Sequence, residues 1–235
     1  MTDVVRGHGV RELFDANAET YDRVNSIVSF GLDRSWRRWV ARKAVEGDVV
    51  RARVLDAFAG TGLVGLEAVS LGALVTLADE SRGMLALAQR RARRRGLQVG
   101  FVVTDLTGPS LRLPGSPFDA ITVVFGVRYL QDPATAIRGL SAMLRPRGKI
   151  ILLDFCEPRS GPVASAAAFY FFRLLPPIAG LLAGDRRLYD TLTATTRALG
   201  GPDSLAALAV DAGLEVVETR TMGFGLVVGV VARRP

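Results

Sequence analysis

The chain has 235 residues, of which 49% are hydrophobic and 23% are charged, a composition typical of a globular protein. This length favours one large domain with a substantial core. The single cysteine, Cys156, excludes an intrachain disulfide and favours a cytoplasmic location. No apolar segment of the signal-peptide type occurs in residues 1–10.

A net charge of +7 raises the question of nucleic acid as a partner. The densest basic run is Arg90–Arg95, which we interpret as the solvated end of a helix that stops at Gly96. An RNA contact is the alternative interpretation. Because few aromatic side chains lie near the run for base stacking, we do not expect nucleic acid as a partner.

The first 50 residues have a helical apolar pattern without clear strands. The pattern predicts helices over Val10–Ala18 and Ser35–Val45. We assign residues 1–50 to a helical cap over the substrate, within a single domain of residues 1–235.

From Arg53 onward, apolar strands alternate with helices. The predicted strands are Arg53–Phe58, Leu74–Ala78, Val99–Val103, Ala120–Val124, Lys149–Phe155, Leu214–Thr221 and Leu226–Ala232. The predicted helices are Gly62–Leu71, Met84–Arg95, Pro133–Leu144 and Ser204–Asp211, with a less regular one near Leu106. Near-continuous apolar strands indicate a parallel sheet with helices on both faces, and the short last connection requires an antiparallel hairpin. The predicted fold is therefore a Rossmann-like α/β domain with a mostly parallel seven-stranded sheet, the usual layout of class I methyltransferases.

An apolar segment, Val163–Gly184, follows the fifth predicted strand. Arg173 and the pair Pro176–Pro177 interrupt it, so we do not expect a transmembrane helix. We assign it to a helical insertion, residues 160–200, over the substrate site. Its aromatic and leucine side chains suit a prenyl chain, an ordinary core, a contact in a homodimer or a helix that lies on a membrane.

A glycine turn follows the first predicted strand and points to a nucleotide pocket. Gly60, Gly62 and Gly65 have the spacing of the dinucleotide fingerprint, and Asp79 follows where an acid would bind ribose hydroxyls. These residues alone would favour an NAD enzyme. S-adenosylmethionine enzymes use the same ribose contact, so Asp79 does not distinguish the two cofactors.

Asp56, which ends the first predicted strand, does distinguish them. A carboxylate at the mouth of the turn would repel a pyrophosphate, whereas S-adenosylmethionine carries an ammonium and a sulfonium that it can attract. The sequence therefore favours S-adenosylmethionine, with a structural role in capping the turn as the alternative for Asp56.

Further residues reach the same crevice, because ligands lie beyond the carboxyl ends of parallel strands. Asp105 can accept a hydrogen bond from the adenine amino group while Leu106 covers the ring, and Phe125 belongs to the floor between cofactor and acceptor. We predict no metal site. The predicted cofactor-binding residues are Asp56, Ala59, Gly60, Thr61, Gly62, Asp79, Glu80, Met84, Asp105, Leu106, Val124 and Phe125.

Five segments resemble the ubiquinone/menaquinone biosynthesis C-methyltransferases, and the similarity runs from about residue 10 to the C-terminus. The Leu-Arg-Pro element occurs in many methyltransferases, whereas the N-terminal signature and the Phe-Gly-x-Arg element are more specific. The segments are 21–38, 125–129, 143–150, 153–158 and 174–180, with Tyr189 and Leu192 beyond them.

The resemblance implies methyl transfer from S-adenosylmethionine to a ring carbon of a demethylated isoprenoid quinol, with demethylmenaquinol the simplest acceptor. It places Thr61, Asp79 and the pair Asp105–Leu106 at the cofactor. The chain departs from the family pattern at Ala59, where glycine is common, and at Tyr129, where the family has asparagine. The second departure puts the acceptor in doubt.

Carbon methylation of a quinol requires loss of a hydroxyl proton, so the acceptor site needs a base or a group that stabilises an oxyanion. Arg128 is the candidate for oxyanion stabilisation, with an ion pair to Asp154 as the alternative. Tyr189 is a second acceptor-site candidate, with packing as the alternative. We interpret His8, the only histidine, as a tail residue rather than as the base.

Two other functions stay open at this point. One is methylation of another lipid or small molecule on the same fold, which the tyrosine at position 129 favours. The other is a non-catalytic module that binds S-adenosylmethionine or RNA, which the basic charge favours. A peripheral contact with the inner face of the membrane and a homodimer are further alternatives.

Overall fold

The computed structural model describes residues 22–47, 49–108, 111–183 and 186–235. His8 and the predicted helix Val10–Ala18 lie outside these residues. A short helix over 22–28 leads into the first long helix. The strands are β1 Arg53–Ala57, β2 Leu74–Asp79, β3 Gly100–Val103, β4 Phe118–Val124, β5 Leu144–Phe155, β6 Glu215–Met222 and β7 Val227–Arg233.

Helices connect the strands and lie on both faces of the sheet. They are α1 Leu32–Val45, α2 Leu63–Ser70, α3 Arg82–Arg94, α4 Pro133–Ala142, α5 Pro162–Phe169, α6 Leu175–Ala183, α7 Arg187–Leu199 and α8 Ser204–Asp211. Helix α3 ends at the arginine run with Gly96 at a φ of 64°, so the run is a helix end as predicted. One buried apolar cluster contains residues of α1, α2 and α3, and another contains residues of α4 and α8.

The seven strands form one sheet in the order β3-β2-β1-β4-β5-β7-β6. Strands β1 to β5 are parallel, and β7 pairs antiparallel with both β5 and β6. This arrangement confirms the predicted fold class. The direction in which the chain adds strands reverses between β1 and β4, and a crevice for a ligand opens at such a point beyond the carboxyl ends of the strands.

The predicted helix near Leu106 is wrong, because residues 104–107 are irregular. Asp105 Oδ1 accepts hydrogen bonds from Thr107 N at 2.8 Å and from Thr107 Oγ1 at 2.7 Å. Such a local turn competes with helix formation. Leu106 is buried in the core cluster on the α4 side of the sheet, so its apolar character reflects packing rather than a helix face.

Residues 162–182 of the insertion form one continuous helical segment, so Pro176 and Pro177 interrupt the apolar run but not the helix. A π-helical turn, Tyr170–Leu174, joins α5 to α6. In an α-helix, a proline ring clashes with the carbonyl four residues earlier. For Pro176 and Pro177 those carbonyls belong to residues 172 and 173, which lie in the wider π turn. The prolines therefore do not break the helix. Within the described ranges, Pro162–Leu182 is the one helix long and apolar enough to cross a membrane. It has 21 residues, and its most apolar stretch of 18 residues has a mean hydropathy of 1.4 and is 22% buried.

Candidate functional site

A cavity of about 660 Å³ opens at the carboxyl ends of β1, β2 and β4, where the strand order reverses. Its size suits a nucleoside-type ligand. The structure brings eleven of the twelve predicted cofactor residues to its lining: Asp56, Ala59, Gly60, Thr61, Asp79, Glu80, Met84, Asp105, Leu106, Val124 and Phe125. Their roles toward a cofactor stay predictions.

Gly62 is the predicted residue that does not line this cavity. It precedes α2 with a φ of 76°, and a Cβ there would lie 2.8 Å from Ala88 Cβ and 2.9 Å from Leu77 Cδ1. Gly65, in the first turn of α2, would place a Cβ 2.2 Å from Leu77 Cδ2. These two glycines let α2 approach β2 and α3 closely.

Asp56 lies at the base of the crevice and is 2% exposed. Its Oδ2 accepts a hydrogen bond from Gly65 N at 2.9 Å, and its Oδ1 accepts one from Thr122 Oγ1 at 2.6 Å. Burial raises the pKa of this carboxyl to about 7, the two hydrogen bonds oppose the rise, and the charge of Asp79 adds to it. Asp56 therefore fixes the turn and also carries a carboxyl that can gain charge near neutral pH.

Asp79, at the end of β2, holds the glycine turn from the other side. Its Oδ2 accepts a hydrogen bond from Gly60 N at 2.7 Å, and its Oδ1 accepts one from Ser81 N at 2.9 Å. In a dinucleotide site, the amides of such a turn face the pyrophosphate. Here a carboxylate takes the Gly60 amide, which makes this turn a poor phosphate site.

The site also contains a link that sequence reasoning missed. Asp22 Oδ1 accepts a hydrogen bond from Thr61 Oγ1 at 3.0 Å, and its Oδ2 lies 2.6 Å from Arg91 Nη1. Arg91 Nη1 also donates to Thr61 O at 3.2 Å. The sequence places Asp22 only within the N-terminal signature, and Arg91 only within a basic run that we interpreted as solvated. Together they join the N-terminal segment to the glycine turn.

Arg37 is a second residue that sequence reasoning missed. It lies on α1, lines the cavity and forms an ion pair with Asp33, one helical turn earlier. Six carboxylates but two guanidinium groups, those of Arg37 and Arg82, are found among the described lining residues. Arg82 begins α3, after Asp79 at the end of β2, whereas Arg37 lies on α1, which contacts α2 and β4. Arg37 therefore enters the cavity from the side of α2 and β4.

Arg128 and Asp154 form an ion pair that is buried behind the β4 end of the cavity, with side chains 2% and 0% exposed. The Arg128 N–H also donates to Asp154 Oδ2 at 3.2 Å. Burial raises the pKa of Asp154, and the Arg128 guanidinium opposes that rise. The ion pair that the sequence left as an alternative is thus present, while oxyanion stabilisation stays a prediction.

Tyr129 connects this ion pair to the cavity. Its hydroxyl accepts a hydrogen bond from Arg128 Nη2 at 3.2 Å, and the guanidinium lies 4.4 Å from its ring centre. Tyr129 lines the cavity, and Arg128 does not. Burial raises the pKa of the phenol, and the guanidinium counters that rise. The charge of Arg128 therefore reaches the crevice through Tyr129.

Tyr189, on α7, is 1% exposed and belongs to an apolar cluster with Phe171 and Leu175 of the insertion. Within the described residues its hydroxyl is buried without a hydrogen-bond partner. Burial raises its pKa, and the negative charge of an ionised Tyr129 would raise it further, so the two phenols are neighbours. Tyr189 does not line the cofactor cavity.

A row of aromatic rings leads from the cavity to the insertion. The ring centres of Phe125 and Phe155 are 4.8 Å apart, and those of Phe155 and Phe171 are 4.9 Å apart. Phe125 lines the cavity, and Phe171 lies in the π turn. The row gives the insertion a direct packing contact with the floor of the site.

Comparisons with known proteins agree with this geometry. Residues 1–233 match the model of the ubiE/COQ5 methyltransferase family. The chain is 35% identical to a demethylmenaquinone methyltransferase of Thermus thermophilus, over 95% of this chain and 100% of that protein. It is 32% identical to the ubiquinone/menaquinone biosynthesis C-methyltransferase UbiE of Shewanella sediminis, over 93% of this chain and 87% of that protein.

Solved structures support the fold. Magnesium protoporphyrin IX methyltransferase of Synechocystis, with bound S-adenosylhomocysteine, superposes with a TM-score of 0.64 at 22% identity, over 96% of this chain and 98% of that one. A methyltransferase of Aquifex aeolicus gives a TM-score of 0.58 at 17% identity, over 85% and 89% of the two chains. The predicted methyltransferase activity and S-adenosylmethionine cofactor are confirmed, and the chain belongs to the ubiE/COQ5 methyltransferase family.

Proposed function

We propose that the protein methylates a ring carbon of a demethylated isoprenoid quinol, most simply demethylmenaquinol, with S-adenosylmethionine as methyl donor. The names of the two relatives support a quinol acceptor. The observation that carries the proposal is a phenol on the cavity wall, Tyr129, with a buried guanidinium–carboxylate pair directly behind it.

The lining of the cavity fits the cofactor. Asp56 and the other carboxylates match its ammonium and sulfonium, and Asp79 suits the ribose hydroxyls. When bound, S-adenosylmethionine supplies an electrophilic methyl group. The one negative group of the cofactor, its carboxylate, needs a cation at the methionine end, and Arg37 is the candidate there.

At the acceptor, the protein must favour loss of the proton from a quinol hydroxyl and stabilise the negative charge that develops on that oxygen. The ring carbon must face the methyl group at the same time. Tyr129 is the candidate for a hydrogen bond to that oxygen, because it lines the cavity and its hydroxyl accepts an N–H from Arg128. Asp154 keeps the guanidinium in place. Arg128 then favours the oxyanion by its charge, acting through Tyr129.

The prenyl chain of such an acceptor would leave the crevice along the aromatic row, past the cluster that contains Tyr189. An unpartnered buried hydroxyl costs about 1–3 kcal/mol, and an acceptor oxygen would satisfy it. Because the acceptor carries an isoprenoid chain, we propose that the protein works in the cytoplasm with peripheral contact to the inner face of the membrane.

A direct assay tests this proposal. Purified protein is incubated with S-adenosylmethionine and either a short-chain demethylated naphthoquinol or the corresponding benzoquinol, and the products are identified by mass spectrometry. We expect methylation of the naphthoquinol ring, and loss of rate in Tyr129→Phe with unchanged binding of S-adenosylhomocysteine. Binding of the cofactor without methylation of either quinol would reject the quinol acceptor.

Tyr129 also favours a second candidate, a methyltransferase acting on a different small molecule. The asparagine that the family resemblance implies at this position is smaller and offers an amide instead of a phenol. Tyr129→Asn separates the two candidates. Retained or increased quinol methylation in Tyr129→Asn supports the quinol, whereas absence of quinol methylation in both the unmodified protein and Tyr129→Asn favours a different small molecule.

A further inference from the structure

Nine large apolar side chains are exposed in three segments that lie close together. The exposed fractions reach 86% for Leu181 and 77% for Phe30. We call this surface the apolar patch; its members are Ile27, Phe30, Val163, Phe169, Leu174, Ile178, Leu181, Leu182 and Phe224. Monomeric proteins rarely leave so many large apolar groups together in water, so the patch indicates an interaction surface.

Contacts between the segments make the patch continuous. The rings of Phe30 and Tyr170 are 5.5 Å apart, and Tyr170 Oη donates a hydrogen bond to Val28 O at 2.8 Å. The turn Gly223–Gly225, which presents Phe224, contacts α5. The N-terminal segment and this turn therefore both adjoin the insertion.

The insertion has two faces with different roles. Phe171, Leu175 and Ala179 are buried and pack against the N-terminal segment and α7. The π turn adds an extra residue to the helical repeat, which places the exposed apolar residues of α5 and α6 along the same side. A helix with one face fixed to the protein body and the other apolar face in solvent can lie in the plane of an interface, but cannot be surrounded by lipid.

The charge of the same segments indicates which partner the apolar patch binds. Within the described parts of 22–34 and 157–190, the exposed acids are Glu157 and Asp190, whereas six arginines are exposed: Arg23, Arg34, Arg159, Arg173, Arg186 and Arg187. Arg159 pairs with Asp203 and Arg186 with Asp190, so the exposed cations still outnumber the three exposed acids. An isologous dimer would bring this cationic surface against itself. An anionic lipid surface complements it, because each basic residue near such a surface adds to binding.

We propose that the apolar patch is the face by which the protein docks on an anionic lipid bilayer, with the side chains of the patch in the headgroup region and the arginines at the phosphates. Only the purpose of docking, access to a lipid-borne acceptor, rests on the proposed function. The row from Phe171 through Phe155 to Phe125 joins the buried face of the insertion to the cavity floor, so the segment that docks on the bilayer also packs against the floor of the site.

Vesicle binding tests the proposal without substrate. The full-length protein is sedimented with phosphatidylcholine vesicles and with vesicles containing 30–40% phosphatidylglycerol; on the scale of other interfacial helices, we expect roughly tenfold stronger binding to the anionic vesicles. The double variant Phe169→Glu/Leu181→Glu should weaken that binding by about tenfold or more, since charge replaces the inserted apolar groups. The matched control Val210→Glu/Val217→Glu changes exposed valines outside the patch and should bind as the unmodified protein does.

Two results would overturn the proposal. One is equal loss of vesicle binding in both double variants; the other is unchanged vesicle binding in the patch variant together with a shift from dimer to monomer in sedimentation velocity, which would assign the patch to a second copy. Methylation of a water-soluble short-chain quinol is measured in parallel. A patch variant that retains this activity but no longer binds vesicles separates docking from catalysis, and failure of the quinol assay alone leaves docking supported.

Discussion

At the scale of single residues, Asp56 couples the cofactor site to pH. Its pKa of about 7 lies above that of a free carboxyl because the group is buried. A positive charge beside it favours the ionised form. We therefore expect the affinity for S-adenosylmethionine to rise between about pH 6 and pH 8, with release of a proton on binding near pH 7.

Titration calorimetry in two buffers of different ionisation enthalpy measures that proton. Asp56→Asn should abolish the proton release and flatten the pH dependence. Equal proton release in the wild type and in Asp56→Asn would assign the titration to another group.

The raised pKa of Asp56 also affects stability. Whereas affinity for the cofactor should rise with pH, the free energy of unfolding should fall. Between about pH 4 and pH 7 the folded cofactor-free protein keeps the Asp56 proton that the unfolded chain loses, so this group lowers the free energy of unfolding as pH rises. The slope approaches 1.4 kcal/mol per pH unit for one proton. Urea unfolding of the wild type minus that of Asp56→Asn isolates the contribution; a difference that does not change with pH would contradict it.

Arg37 is expected to recognise the carboxylate of the cofactor. Arg37→Ala should weaken binding of S-adenosylhomocysteine by about tenfold to a hundredfold, the range for loss of a charged hydrogen bond. Binding of methylthioadenosine, which lacks the amino acid, should stay the same. Calorimetry with both ligands makes the comparison, and equal weakening for both would mean that Arg37 acts on the fold instead.

Arg128 is expected to affect stability as well as rate. Arg128→Ala leaves the buried Asp154 without its cation, and loss of one partner of a buried pair costs about 3–5 kcal/mol. The double variant Arg128→Met/Asp154→Leu removes both charges and should recover much of that stability without recovering methylation. Recovery of both, or an unchanged rate in Arg128→Ala under conditions where it is folded, would exclude a role in catalysis.

At the scale of elements, the glycine turn positions α2 as well as the ligand. Gly65→Ala should destabilise the protein by about 1–3 kcal/mol, because its Cβ would meet Leu77 Cδ2 at 2.2 Å and Asp56 Oδ2 at 3.0 Å. Gly201→Ala, where a Cβ would meet nothing within 4 Å, is the matched control. Thermal unfolding of the two variants gives the comparison; similar midpoints would mean that the contact relaxes at little cost.

The strands were predictable because the parts of parallel strands that are covered on both faces are nearly continuous apolar runs, as Ile150–Leu153 of β5 is. The positions of Asp56, Asp79 and Asp105 followed directly, since each stands at or just beyond a strand end. Leu106 misled the prediction because a buried side chain in an irregular segment has the same apolar signature as a helix face. The π turn that accommodates Pro176 could not be predicted, because such a turn has no sequence signal of its own.

The contacts of Asp22 and Arg37 could not be predicted for a different reason. Each lies far along the chain from its neighbours in the cavity, and Asp22 bonds to Thr61 across 39 residues. Local periodicity fixes which elements form, but the packing of the N-terminal segment over the turn depends on tertiary structure. A weak indication was available, because the cofactor has a carboxylate that no predicted residue could neutralise.

At the scale of the whole molecule, the sheet separates two tasks. Its carboxyl edge carries the cavity between β1, β2 and β4, while segments outside the sheet, the N-terminal segment and the insertion, cover the β4 and β5 side. The aromatic row joins the two. Changes of acceptor can therefore arise in the covering segments without disturbing the glycine turn.

The packing of Trp36 gives the protein an intrinsic optical reporter. Its indole is 6% exposed and meets the rings of Phe125 and Phe155 edge-on at 6.2 Å and 6.1 Å. An oxidised quinone near that floor would quench indole emission by electron transfer more strongly than the reduced quinol would, because the quinone is the better electron acceptor. Steady-state fluorescence of the unlabelled protein can thus follow both occupancy and redox state of an acceptor, with Trp36→Phe revealing the emission of the chain's other tryptophan alone.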